Sequence, residues 1–474
     1  MTDQKLVLNT DARGQLRFNP ILATDAYKET HWTIYPANTE RVYSYLEARQ
    51  GQFSFTTMFG LQIPLMRYLS GPIIEQWMID EAEIFCAKML GNPKLFNREG
   101  WEYIIARHGG KLPIRIRAVP EGMSVPNRNV LMTIENTDPR VPWITNFLET
   151  LLFEYVWYGS TVATLSKYFK MEVDAFARAT GETANPFHLN DFGMRGVSSL
   201  ESAGIGGAAH LINFFGTDNL EGIRYAMHYY DIDVCGFSVV ASEHSVVTMY
   251  GLGEKNEVAC YERMIDQHPT GIVSSVSDTY DFENCVTNIY GKQLKDKILK
   301  RDGKWVVRPD SGDPATQAVL ALNALWTSFG GEVNAKGYKV LNSKVGVIYG
   351  DGINVNSVTK ILKAVIDAKF AVSNIIFGMG GKLLQGVNRD TQGMAIKASW
   401  GVVDGNPRDI QKTTKTDPGK ASKKGRLKLV KDSKGNISTV NESDPGEDIL
   451  QEVFVDGEIT KKYTFEEVRA NAMM

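Results

Sequence analysis

The 474-residue chain lacks the cysteine pattern of a zinc site or a disulfide framework. Cys86, Cys235, Cys260 and Cys285 are its only cysteines, they lie far apart, and no C-x-x-C pair occurs. Reduced thiols in a cytoplasmic protein are the expectation. No stretch of 18 consecutive apolar residues occurs, and the opening MTDQKLVLNTDARGQLRFNP has no apolar signal core, so a soluble protein is expected, without a membrane anchor. A basic excess is missing too. The 52 Lys and Arg against 55 Asp and Glu leave a net charge of −3, which argues against a general nucleic-acid binder and makes any anion site local. What the chain does have is an ordinary globular composition, 43% apolar and 23% charged, enough for two domains or one large α/β domain with additions.

Residues 190–199, NDFGMRGVSS, carry the tripeptide that holds magnesium in protein kinases. A kinase needs a Gly-rich loop, a lysine strand and H-R-D ahead of it. Here GMGG (378–381) and MAIK (394–397) both follow Asp191, and no H-R-D exists. The order excludes a kinase and leaves Asp191-Phe192-Gly193 in need of another role.

The first 150 residues mix alternating strands, such as ERVYSYLEA (40–48) and KLPIRIRAVPEG (111–122), with helical stretches such as 71–90. From about 187, β-branched apolar runs recur, each ending in a polar or glycine-rich cluster: HLINFFGTD, CGFSVVASEHS, GIVSSVSDTYD, KWVVRPDSGDP, KVGVIYGDG and VSNIIFGMGG. They start roughly 25 to 40 residues apart, the length of one strand-helix unit. Between them, 315–326 is expected to form a helix with Ala315, Val319, Leu322 and Trp326 on one face, and 357–370 a helix facing inward with Val358, Ile361, Leu362 and Val365. This pattern predicts a parallel sheet covered on both faces, open or closed into a barrel. Ligands of such sheets sit at the carboxyl ends of the strands, where Asp218, His244, Asp278, Arg308, Asp310, Asp351 and Gly380 all fall. After residue 400, a Lys-rich loop precedes a strand pair around RLKLVKDSKGNIST and a terminal helix.

Each motif has a plainer alternative. GIGGAAH (204–210) resembles a phosphate loop, but Ser198 and Glu201 read as a capping box, which puts these glycines inside a helix as packing residues. Arg195, just before that helix, suits an anion or else a surface ion pair. Arg308 and Asp310 share a side by strand alternation, as a structural pair or as contacts to a polar ligand. Asp278, Asp310 and Asp351 on neighbouring strand ends suit magnesium, sugar hydroxyls or a developing cation. His244 is a structural histidine or a nucleophile. The cations at Lys412, Lys420, Lys423, Lys424, Arg426 and Lys428 form a solvated loop or a lid over an anion.

Taken in order, ATDAYKETH, YPANTERVYSYLEAR, NDFGMRGVSSLESAGIGGAAHLINFFGTD, ASEHS, VSDTYD, RPDSGDP, GDG, FGMGG, NRD and SKKGR resemble the nicotinamide phosphoribosyltransferases from about residue 19 to the end. The resemblance implies a type II phosphoribosyltransferase with an irregular, TIM-like α/β barrel at 161–389. A second mixed α/β domain would be built from both chain ends, 1–160 with 390–474. It implies a homodimer with active sites at the interface, and a reaction joining nicotinamide to 5-phosphoribosyl 1-pyrophosphate (PRPP), with Mg²⁺ and with ATP as co-substrate. Phe192 then matches the aromatic on one face of the pyridine ring, and Tyr27 of a second copy the one on the other. Asp218 matches the acceptor for the amide nitrogen and argues against nicotinate, the nearest alternative substrate.

By the same resemblance Arg308 lies near the carboxamide oxygen, and Asp310, Gly350 and Asp351 near the ribose hydroxyls. Gly380, Gly381, Arg389 and Lys397 would cradle the 5′-phosphate; Arg195, Lys412 and Lys420 match positions around the pyrophosphate or the nucleotide phosphates; Ser274 joins the substrate-binding set. His244 matches the histidine phosphorylated by ATP, and Asp310 and Asp278 are counted with it as catalytic. The metal's ligands stay unassigned. Asn190, where animal members carry histidine, and Ala395, in place of a phosphate-contacting serine, depart from the pattern.

Overall fold

The computed structural model describes residues 6–413 and 421–473. The chain divides into two compact units: Met1–Thr164 with Tyr229–Asp231 and Asn388–Met474, and Leu165–His228 with Ile232–Val387.

The first unit is organised by a seven-stranded sheet that draws on both chain ends. Thr39–Ala48 lies between Val130–Asn136 and Met394–Val403, antiparallel to both, and Gln451–Val455 pairs with Ile114–Ala118. Ile114, Ile116 and Ala118 are buried while Arg115 and Arg117 between them are half-exposed, the period-two pattern of a half-buried strand. The cationic segment after 420 is less free than its composition suggests. Arg426 grips Glu135 through two guanidinium nitrogens at 2.7 and 3.0 Å, Lys423 pairs with the buried Glu47 at 2.5 Å, and Lys428 donates to the Gly446 carbonyl. Lys423 and Arg426 are tied to carboxylates on two strands of the sheet and Lys428 to a turn carbonyl, which removes all three from a lid. The helix expected over 71–90 starts only at Gln76, because Gly71 takes a positive φ and Glu75 is extended.

The second unit is a parallel sheet of seven strands. In spatial order these are Gly216–Thr217, Leu189–Asp191, Ile375–Met379, Val345–Tyr349, Asp302–Arg308, Thr270–Val276 and Val240–Ala241. A parallel bridge between Gly216 and Phe237 brings the segment leading into the last strand back against the first, curling the sheet into an irregular barrel. Along Asp302–Arg308, Trp305 and Val307 point outward and are fully buried, whereas Lys304, Val306 and Arg308 point inward. Burying each outward side chain contributes about 1.5–3 kcal/mol.

Three local expectations change. HLINFFGTD (210–218) begins in the last two residues of helix Leu200–Leu211, runs through a turn and a short link, and has a strand only at Gly216–Thr217. The cap of that helix is Ser199, whose hydroxyl accepts from Ser202 N, so the helix starts one residue later than the Ser198 box predicts. Its glycines are packing residues: a Cβ on Gly207 would lie 2.7 Å from the Cα of Gly222 in helix Leu220–Tyr230, a crossing only two glycines permit. In helix Pro314–Phe329 the buried stripe is Ala318, Ala321, Leu322, Leu325 and Phe329, turned away from the face expected. That helix is apolar nearly all round, so periodicity could not fix its rotation, and its small alanines face inward where close approach is needed. Helix Val355–Asp367 does bury Val358, Ile361, Leu362 and Val365.

Candidate active site

Strand Leu189–Asp191, which the apolar-run pattern did not separate, explains the D-F-G tripeptide: it is the carboxyl end of a barrel strand. Phe192 N donates to the Met379 carbonyl at 3.0 Å, and the ring comes to rest over Gly378, whose added Cβ would fall 2.0 Å from Phe192 Cε2. A TIM-type interior is normally filled by branched side chains. Here Gly346 and Ser274 face inward with few atoms and Gly378 gives its space to the Phe192 ring, leaving a cavity of about 410 Å³ in the range of small-molecule sites. Phe192, Asp218, Ser274 and Arg308 all line it, as does Asn190, whose amide donates to the Phe187 and Phe377 carbonyls.

Sequence patterns miss two further groups on this wall. Ser238 donates to Asp218 Oδ1 and orients that carboxylate. Lys304 extends along the inner side of Gly346, and burial pushes its ammonium pKa below the usual range. Two-residue alternation from Arg308 through Val306 would have found Lys304.

Next to the cavity, beyond the carboxyl ends of three of the strands that line it, stands the acidic cluster. Asp278 Oδ2 accepts from Asp310 N at 3.0 Å and Ser311 Oγ at 2.5 Å, while its buried Oδ1 has no hydrogen-bond partner. His244, at the start of helix His244–Thr248, sets Nε2 3.7 Å from Asp278 Oδ1 and 3.5 Å from Asp310 Oδ2, and Nδ1 3.2 Å from Thr279 Oγ1. The ring is 46% exposed, open to an incoming group. Asp351 belongs to the same cluster: burial first, then Asp351, Asp278, Asp310 and Asp313, push the Tyr349 hydroxyl up to about 12. Arg308 donates to the Ser242 carbonyl at 2.9 Å, and its buried Nε has no partner.

Gly380 and Gly381 follow strand Ile375–Met379 and open a short helix. The turn holding Arg195 packs on this loop, since a Cβ on Gly196 would sit 2.7 Å from Gly381 Cα. In the other unit, Lys397 has its pKa pushed down by burial and then by the neighbouring Arg49, Lys412 and Arg389, against the opposing pull of Glu149. Four cations thus stand close enough to act on one another electrostatically. Lys420 lies outside the described residues.

Tyr27, also in that unit, is 59% exposed on a 3₁₀ helix, Ala26–Thr33. Two residues on, Glu29 is buried with Oε1 unpartnered, and desolvation pushes its carboxyl up to about 8 from 4.5, against a weaker opposing bond to Cys86. A raised carboxylate pKa means the folded state keeps a proton that the unfolded state has lost, so this group lowers stability as pH rises from about 4.5 to about 8. Glu29→Gln is therefore expected to flatten the fall in melting temperature between pH 5 and pH 8.5, and a fall as steep as that of the parent protein would contradict it.

Comparison with known proteins agrees with this geometry. Residues 187–458 match the model of the nicotinate phosphoribosyltransferase family, and residues 19–116 match that of the nicotinamide phosphoribosyltransferase N-terminal domain. The nicotinamide phosphoribosyltransferase of Xanthomonas campestris pv. campestris is 44% identical over 96% of this chain and 98% of its own length. The chain belongs to the nicotinamide phosphoribosyltransferases. It is thus a phosphoribosyltransferase enzyme. The Acinetobacter baylyi nicotinamide phosphoribosyltransferase is 35% identical over 96% of this chain and 97% of its own. The nicotinate-nucleotide pyrophosphorylase from Pyrococcus furiosus shares the fold, with a TM-score of 0.63 at 14% identity over 99% of this chain and 97% of that one. Among the described residues no helix is long and apolar enough to cross a membrane.

Proposed function

We propose that this enzyme condenses nicotinamide with PRPP to give nicotinamide mononucleotide and pyrophosphate in NAD salvage, driven by ATP through a phosphohistidine at His244. The observation that carries the base assignment is the barrel cavity, with Phe192 on one wall and the Ser238-oriented carboxylate of Asp218 on another. An aromatic face takes the pyridine ring by offset stacking, and a carboxylate accepts from an amide N–H where it would repel nicotinate.

The pyridine nitrogen already carries a lone pair, so the site needs no strong base. Its task is to hold that nitrogen in line with the ribose anomeric carbon and to stabilise the cationic sugar as pyrophosphate leaves. Asp310 and Asp351, with the Gly350 backbone, take the ribose hydroxyls. The Gly380-Gly381 loop takes the 5′-phosphate and Arg195 the pyrophosphate. His244 Nε2 attacks the γ-phosphate of ATP and ADP departs; the carboxylates of Asp278 and Asp310 steady the charged imidazole.

The residues present also fit Mg²⁺. Asp278 Oδ1 is buried without a partner, and Asp310 stands beside it. Asp278 and Asp310 would be the residues that hold the ion; no group of three or more residues able to hold a metal occurs among the described residues. When bound, the ion would neutralise charge on the departing pyrophosphate.

The proposed enzyme is a homodimer in a reducing cytoplasm. Met249 and Leu252 are 84% and 83% exposed, and with Val239, Val240 and Val246 they leave an apolar surface around His244 of the kind a second copy covers. All four cysteines are free and buried.

The test is a product assay by mass spectrometry with PRPP, Mg²⁺ and either nicotinamide or nicotinate, with and without ATP. Nicotinamide mononucleotide as the selective product, formed faster with ATP, is expected, and His244→Asn is expected to lose only the ATP-dependent part. Nicotinate as the preferred base would overturn the assignment of Asp218. An ATP response that survives His244→Asn would overturn the phosphohistidine.

A further inference from the structure

Asp191 is fully buried, does not line the cavity, and is left without a task by the reaction described above. Its bonds nonetheless reach both groups that recognise the base. Oδ1 accepts from Gly193 N at 2.7 Å and so closes the turn that presents Phe192. Oδ2 accepts from Asn219 Nδ2 at 2.9 Å, and the Asp191 carbonyl accepts from Asp218 N, also at 2.9 Å, so the loop carrying Asp218 is tied to the same residue. Asn219 is itself fully buried and fixed. Its Nδ2 also donates to the Ala203 carbonyl in helix Leu200–Leu211, and its Oδ1 accepts from Gly222 N.

Only a carboxylate serves both partners here. An asparagine at 191 could accept from Gly193 N with its oxygen, but it would then turn its own NH₂ toward that of Asn219. Placing a charge in a site with no exposure is expensive unless it is fully hydrogen-bonded, and a neutral residue would avoid that expense. Burial, and after it the negative charge of Asp218, push this carboxyl up to about 6, against the bonds from Asn219 and Gly193 that favour its ionised form. The two N–H donors from Gly193 and Asn219 favour the ionised form, which places a second negative charge behind Asp218.

We propose that Asp191 is a positioning and specificity-determining residue for the base: it sets Phe192 and Asp218 in one register and adds its charge to that of Asp218 against an acidic ring substituent. The inference rests on the nicotinamide reading. It assigns selectivity to two carboxylates, one of which never touches the ligand.

Two variants of the full-length enzyme separate the two roles, with KM and kcat measured for PRPP, nicotinamide and nicotinate. Asp191→Asn removes the charge and one bond. It is expected to raise the nicotinamide KM about tenfold, as loss of a hydrogen bond to a charged group would, and to reduce discrimination against nicotinate by a similar factor. The PRPP KM should stay within about twofold, because the side-chain bonds of Asp191 run to Gly193 and Asn219 rather than to Arg195 or the Gly380-Gly381 loop. Asn219→Ser keeps the charge but loses the tie to Asp191 together with those to Ala203 and Gly222, so it is expected to raise the nicotinamide KM while leaving discrimination in place.

A folded Asp191→Asn enzyme with parental KM and discrimination overturns the proposal, as does a parallel rise in KM for base and PRPP. Equal relaxation of discrimination by both variants removes the charge role. Should Asp191→Asn not fold, an unchanged nicotinamide KM in Asn219→Ser is by itself decisive against it. A parental enzyme that uses neither base defeats the nicotinamide reading, which the unmutated arm shows before any variant is compared.

Discussion

Replacing Asp218 by asparagine is expected to reduce the preference for nicotinamide over nicotinate by about a hundredfold in kcat/KM. Asp218 follows the two-residue strand Gly216–Thr217, and its backbone N–H is held by the Asp191 carbonyl. Ser238 occupies Oδ1, which orients the carboxylate toward the cavity it lines. A hydrogen bond to a charged acceptor contributes about 1.5–3 kcal/mol, and each 1.36 kcal/mol is tenfold. The neutral amide loses that much for nicotinamide and at the same time lifts the repulsion of nicotinate. The measurement is the ratio of kcat/KM for the two bases at fixed PRPP. A ratio unchanged from the parent would mean that discrimination resides elsewhere.

The placement of the site is legible in the sequence because strand ends in a parallel sheet share one face. Asp218, His244, Asp278, Asp310 and Asp351 all read as strand-end residues, and four of the five gather near one mouth through geometry that two-residue alternation and a strand-helix repeat already imply. Less legible are the short strands. Leu189–Asp191 and Gly216–Thr217 have three and two residues, too few for periodicity to register, and the second is preceded by an apolar link, 212–215, that follows a helix and reads like a strand. Helix Pro314–Phe329 defeats a face assignment for the opposite reason, being apolar on most of its circumference.

Ser238, Asn219 and Thr279 carry no sequence signal as functional residues. Each is an ordinary polar side chain whose meaning comes only from the carboxylate or imidazole it happens to touch. Partnering of this kind is tertiary, and no local pattern reports it. The cationic segment after 420 shows the converse. Lysines and arginines in a loop look solvated, yet Lys423 and Arg426 are bound to the carboxylates of Glu47 and Glu135, residues on distant strands.

The glycine beneath the ring gives the sharpest steric prediction. Gly378 sits in strand Ile375–Met379 on the inner face, in register with Asn190, and a Cβ there would meet Phe192 at 2.0, 2.2 and 2.8 Å from Cε2, Cδ2 and Cζ. Such distances cannot be relieved by small shifts, and Phe192 cannot simply back away because its N–H is bound to Met379 and the next residue, Gly193, is wedged against Leu384 and Gly380. The ring must therefore rotate into the cavity and occupy the space of the base. Gly378→Ala is expected to lower kcat/KM for nicotinamide by a factor on the order of 10² or more, since a displacement of about 1 Å is enough for such a loss. The added methyl should cost about 1–3 kcal/mol of stability as overpacking.

Gly350 supplies the contrast. Its added Cβ would stand 3.4 and 3.5 Å from the same ring, ordinary contact, so Gly350→Ala is expected to leave Phe192 in place in a crystal structure, where Gly378→Ala moves it. If Gly378→Ala retained the parental nicotinamide KM with Phe192 displaced, stacking on that ring would not be what holds the base. The double variant Gly378→Ala with Phe192→Leu tests the same point from the other side: a smaller side chain relieves the clash, so stability should return toward the parent while base affinity stays low, because the lost contribution is the aromatic face itself.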